Sequence, residues 1–149
     1  MTYESIVDLR RAVGTDLGYS DWLEIDQQRI NQFADATGDH QWIHINPEAA
    51  AAGPFGSTVA HGFLTLSLLP VLVAGRFTVD GAKMGVNYGV NKVRFPAPVP
   101  VGSRVRGRLE LLSVDDVEGG VQVVYKVTVE REGGEKPVCV AEAVARIYL

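Results

Sequence analysis

A single cysteine, Cys139, stands in 149 residues, so neither an intrachain disulfide nor a multi-cysteine zinc site is open to this chain. A reducing cytoplasm is the expected compartment. Basic residues are also few: 14 Lys and Arg against 18 Asp and Glu give a net charge of −4. No basic run is present to release counterions from nucleic acid, which disfavours such a partner. Long apolar runs are missing too. The most apolar stretch, Phe63 to Ala74, carries Thr65, Ser67 and Pro70 and falls short of the ~20 residues that span a bilayer. The first residues, with Glu4, Asp8, Arg10 and Arg11, lack the apolar core of a signal peptide. What the chain does have is 46% hydrophobic residues, enough for one core, and the expectation is a single domain over residues 1–149 without a membrane partner.

The apolar spacing predicts a first helix over Tyr3 to Val13, stopped by Gly14. Alternation over Asp21 to Ile25 predicts a strand leading to Asp26, a residue suited to an N-cap. Ile30, Phe33, Ala34 and Thr37 fall on one stripe of a helix over Gln27 to Thr37, and Gly38 ends it. From Asp39 to Thr58 no long period holds. Pro47 opens a short helix through Ala52 there, and Gly53-Pro54 breaks it. Beyond Gly62 a second long helix is apolar on nearly every side, which requires protein all around it. Period-two alternation along Val101 to Leu111, again along Val121 to Glu130, and a row of small residues at Cys139, Ala141, Ala143 and Ala145 predict long antiparallel strands. The Pro-rich Phe95 to Pro100 segment ends a strand or forms a corner. The pattern is α+β: a curved sheet around one buried helix.

Asp39 and His44 stand five residues apart just past a helix end, where a loop can turn both toward one pocket and hold a water between them. Positioned proton transfer of this kind typically contributes ~10²–10⁴-fold in rate. The competing reading makes Asp39 a turn or capping residue and His44 a satisfied loop histidine. His40 and His44 invite comparison with His-Glu-x-x-His zinc sites. That comparison fails at Gln41, no third ligand is evident, and no metal is expected. His40 is expected to be exposed. Gly62 opens the apolar helix, where unpaired N–H groups can meet a developing oxyanion, or it serves only tight helix–sheet packing.

These residues resemble the MaoC-like, (R)-specific enoyl-CoA hydratases, small hot-dog-fold proteins, over roughly Leu17 to Leu149. The likeness is carried by Phe33-Ala34-x-x-Thr37-Gly38-Asp39, then His44, Asn46-Pro47 and Val59-Ala60-His61-Gly62, and again by Tyr88 to Val99. The resemblance implies a long central helix wrapped by an antiparallel sheet. It puts the catalytic pair on Asp39 and His44 and the oxyanion glycine on Gly62. The family's usual Gly-Asp-x-Asn-Pro-Leu-His differs here, since Gln41 and Trp42 stand where Asn and Pro are expected. Gln41 keeps an amide for positioning water or substrate, one methylene further out.

The activity implied is reversible hydration of trans-2-enoyl-CoA to (3R)-3-hydroxyacyl-CoA without a cofactor. Also implied is a homodimer joined at sheet edges. Lys92, Arg94 and Arg104 are either partners for CoA phosphates or exposed sheet charges. Two rivals share the scaffold: a hot-dog acyl-CoA thioesterase, marked by free thiol release, and a non-catalytic acyl-CoA-binding domain, marked by binding without turnover.

Overall fold

The computed structural model describes residues 1–149. In chain order the elements are β1 (Thr2–Tyr3), α1 (Ile6–Arg11), β2 (Asp16–Tyr19), β3 (Leu23–Ile25), α2 (Gln27–Thr37), α3 (Trp42–Ile45) and α4 (Pro47–Ala51). Then follow α5 (Gly62–Ser67), α6 (Leu69–Val73), β4 (Thr78–Val79), β5 (Met84–Arg94), β6 (Ser103–Val117), β7 (Gly120–Arg131) and β8 (Cys139–Tyr148). The alternation in the carboxy-terminal half becomes three long strands whose inward residues, among them Val105, Leu109, Val123, Val127 and Ala141, are buried. The main sheet runs β2-β6-β7-β8-β5 with β3 also on β6, and all of its pairings are antiparallel. The small side chains on β8 let α5 lie close, while α6 packs on β6. No helix is long and apolar enough to cross a membrane.

Helix α2 begins and ends where its local chemistry dictates. The Asp26 carboxylate accepts from the Arg29 N–H at 2.8 Å, and Gly38 closes the helix in the left-handed region at φ 83°, a conformation that costs glycine nothing. The first helix is shorter than its apolar spacing suggests. Ser5 caps it through the Asp8 N–H, and Tyr3 pairs with Val79 in a small parallel ribbon instead. The expected strand at Asp21 contracts to β3, and β2 and α3 form where the sequence pattern is silent.

The central helix differs from expectation in two ways. It divides at Leu68 into α5 and α6, because Pro70 has no N–H for the carbonyl one turn earlier and its ring crowds that carbonyl. Nor is it surrounded. Phe63 is 68% exposed and Val71 is also exposed, so only one side of the helix is covered by this chain. The open side adjoins β5, whose outer edge pairs with nothing here.

Candidate active site

The segment Asp39 to Val59 is held to α2 and closed on itself by its polar contacts. Gln27, in the first turn of α2, donates from its side-chain amide to the His44 backbone carbonyl at 2.7 Å and accepts from the Thr58 hydroxyl at 2.5 Å. The Val59 N–H donates to the Ile43 carbonyl at 3.0 Å. Asn46 caps α4 through the Ala49 N–H. These bonds fix a short helix, α3, that carries His44 into the interior with only 7% of its surface exposed.

The environment of His44 settles its tautomer. Its Nδ1 lies 2.7 Å from the Val59 carbonyl oxygen. A carbonyl only accepts, so Nδ1 carries the proton and Nε2 of the neutral ring keeps its lone pair. Asp39, left-handed Gly38 behind it, is exposed at the mouth of the same cluster. Its carboxylate lies within 4.8 Å of ring nitrogens from both His44 and His61. Gly62 follows at N1 of α5, a position whose N–H has no intrahelical partner. His44, Gly62, Ile43, Phe55, Thr65 and Phe95 all line one cavity of about 290 Å³.

His61 was not singled out in the sequence, and it is the third side chain of this cluster. It corrects the expectation that no third potential ligand exists, since Asp39, His44 and His61 form a carboxylate and two-imidazole set. The rings of His44 and His61, however, stack at 3.8 Å with an interplanar angle of 23°. An ion bound in both ring planes would sit well beyond the ~2.0–2.1 Å of a metal–nitrogen bond. The arrangement suits hydrogen bonding to a small polar group better than coordination.

A family model for the MaoC like domain matches residues 8–132. The chain belongs to the MaoC-like dehydratase family. Over 146 residues it is 60% identical to the 3-hydroxyacyl-thioester dehydratase Z of Mycobacterium tuberculosis, covering 97% of each chain. It is 48% identical over 141 residues to the nodulation protein N of Rhizobium leguminosarum, covering 92% of this chain and 87% of the relative. Among solved structures, the R-hydratase PhaJ1 of Pseudomonas aeruginosa, unliganded, aligns with a TM-score of 0.73 at 25% identity. That alignment covers 91% of this chain and 81% of that one. The helices α5 and α6 packed on a curved antiparallel sheet are therefore the hot-dog fold, and the lyase-type chemistry of MaoC-like dehydratases is the activity class.

Of the residues marked in the sequence, His44 and Gly62 share one cavity, Asp39 joins His44 in the carboxylate–imidazole cluster, and Gln41 stands apart. Gln41 is exposed ahead of α3, makes no side-chain capping bond, and touches Asp39 only through its own backbone N–H at 3.4 Å. His40 is exposed, as expected, and the hydrogen bond its Nε2–H donates to the Asp35 carboxylate at 2.9 Å raises its pKa above the ordinary imidazole value. Arg104 pairs with Glu132 at 3.1 Å and lies over Trp22, three strands from β5. Lys92 and Arg94 lie on exposed β5 beside Lys126 and Glu142. Gln27 and Thr58 carried no sequence signal, since each lies among polar or turn-forming neighbours along the chain. His61 had one, its place beside the marked Gly62.

Proposed function

We propose that this protein is an (R)-specific enoyl-CoA hydratase, adding water reversibly to trans-2-enoyl-CoA to give (3R)-3-hydroxyacyl-CoA. The observation that carries this reading is the Nδ1–H of His44 bound to Val59, which leaves Nε2 without the carbonyl partner, in a ring that has a nitrogen within 4.8 Å of the Asp39 carboxylate. Asp39 and His44 orient a water and take one of its protons as its oxygen attacks the β-carbon. The carbon–carbon π electrons move onto the thioester oxygen as an enolate, which the Gly62 N–H stabilises. The enolate collapses as the proton returns to the α-carbon on the same side, so water has been added across the double bond.

The substrate class draws support from the acyl-thioester dehydratase among the relatives and from the cavity at Gly62. Lys92 and Arg94 are the remaining candidates for CoA phosphates, because the carboxylate partner of Arg104 already occupies its guanidinium. A homodimer joined along β5 is part of the same reading, supported by that strand's unpaired edge and its exposed Met84, Val86, Tyr88 and Val90.

Hydration of crotonyl-CoA, followed by loss of the conjugated thioester's ultraviolet absorbance with chiral analysis of the product, tests the proposal. Wild-type turnover to the (3R) product is expected, with Asp39→Asn and His44→Gln each reduced at least ~10²-fold while still folded. Release of free thiol with no change in the enoyl group would point instead to a thioesterase. Binding of CoA esters without turnover on short or longer chains would leave a binding module.

A further inference from the structure

His61 has no role in the reaction as written, yet its surroundings are specific. It is 2% exposed, its ring stacks on His44, and Phe33 packs against it at 4.9 Å. Although His61 sits at the N-cap of α5, its side chain caps nothing. Its Nε2–H donates to the Asp39 backbone carbonyl at 3.0 Å, while Nδ1 is buried without a partner. An imidazole buried this deeply for one hydrogen bond is a poor core residue, since the unpaired nitrogen carries a desolvation penalty that a leucine would not.

Two of the contacts that His61 makes fall one on each member of the proposed proton-transfer pair. Asp39 sits in a stretch with no regular structure, between Gly38 and α3, and the His61 bond is the one it receives from outside that stretch. His44 is held at Nδ1 by the Val59 carbonyl, and the ring of His61 lies against its face with centroids 3.8 Å apart, limiting how far the His44 ring can tilt. We infer that His61 is a positioning residue that braces Asp39 by its Nε2–H and the His44 ring by stacking, so that the carboxylate stays close to the His44 ring. This inference rests on the hydratase reading of Asp39 and His44.

Three substitutions separate the two holds. His61→Gln keeps a donor near the reach of Nε2 and loses the ring face, His61→Phe keeps the face and loses the donor, and His61→Ala loses both. On crotonyl-CoA, kcat should fall roughly 10-fold in each of the first two and roughly 10²-fold in the third, the scale of a ~1 Å misplacement. KM should stay within about threefold, as expected when transition-state geometry and not binding is lost. Because a brace acts only through the pair, His61→Ala added to His44→Gln should cost almost nothing more. A merely structural histidine predicts the opposite, the same loss in both backgrounds. That additive result, or full kcat in folded His61→Ala, overturns the inference while leaving the hydratase reading intact.

If wild-type protein hydrates no enoyl-CoA, the hydratase reading itself has failed, and the brace is judged by nitrogen-15 imidazole spectra. These should show one sharp set of His44 ring signals in wild type and exchange-broadened signals in His61→Ala, with the Nδ1–H bonded to Val59 in both. Unchanged His44 signals in the variant reject the brace.

Discussion

At the scale of single residues, two positions show how tightly chemistry and packing are joined. A Cβ placed on Gly62 would lie 2.7 Å from the Phe95 ring, so the glycine makes room for an aromatic wall of the cavity as well as presenting an N–H. Gly62→Ala should therefore cost about 1–3 kcal/mol by overpacking. Adding Phe95→Leu should restore most of that loss in chemical denaturation, and an unrelieved loss would mean the ring is not the obstacle. Cys139 is the second position. Burial pushes its thiol up to about 11, whereas an unfolded thiol ionises near ~8.5. Above that value the unfolded chain gives up its proton while the native chain does not, so stability should decline as pH rises toward 11. At pH 8 a thiol reagent should label denatured protein promptly and native protein very slowly. Rapid native labelling would show that β8 opens readily.

At the scale of elements, α2 both builds the core and supports the site. Its two ends permit a clean comparison. Asp26→Ala removes the cap on the Arg29 N–H and should cost about 0.5–2 kcal/mol with kcat unchanged. Gly38→Ala forces a side chain into the left-handed region, costing about 1–2 kcal/mol, and it also shifts Asp39, the next residue. Its kcat should drop ~10-fold or more. Equal activity in the two variants, measured by the same hydration assay and compared with their melting temperatures, would mean that Asp39 does not depend on the helix end. From the first turn of the same helix Gln27 reaches both His44 and Thr58, tying the two flanks of the site to one rigid support.

At the scale of the whole molecule, the outer side of α5 and α6 and the free edge of β5 form one apolar region that includes Phe63, Val71, Tyr88 and Val90. An unpaired edge with exposed apolar side chains is a place where a second chain adds. Sedimentation should give twice the chain mass for wild type. Val90→Asp, which puts a charge on that edge, should shift the protein to the monomer. A wild type that sediments as a monomer with full activity would remove the dimer from the proposal.

The amino-acid sequence alone determined what depends on neighbours a few residues away. Asp26 and Gly38 bound α2 because capping joins groups within one helical turn, and β6, β7 and β8 follow from alternation along a single strand. The glycine-aspartate step and the histidine five residues on were likewise readable, because their spacing is local. Only the tertiary structure decided the rest. Pro70 divided the central helix against its apolar pattern, and one face of that helix stayed open because no other element of this chain covers it. His61 reached His44 and Asp39 across 17 and 22 residues of chain, and Val59 chose the His44 tautomer across 15. Such contacts exist only after the loop from Asp39 to Val59 has closed onto α2, and nothing in the spacing of residues along the chain encodes where a loop will close.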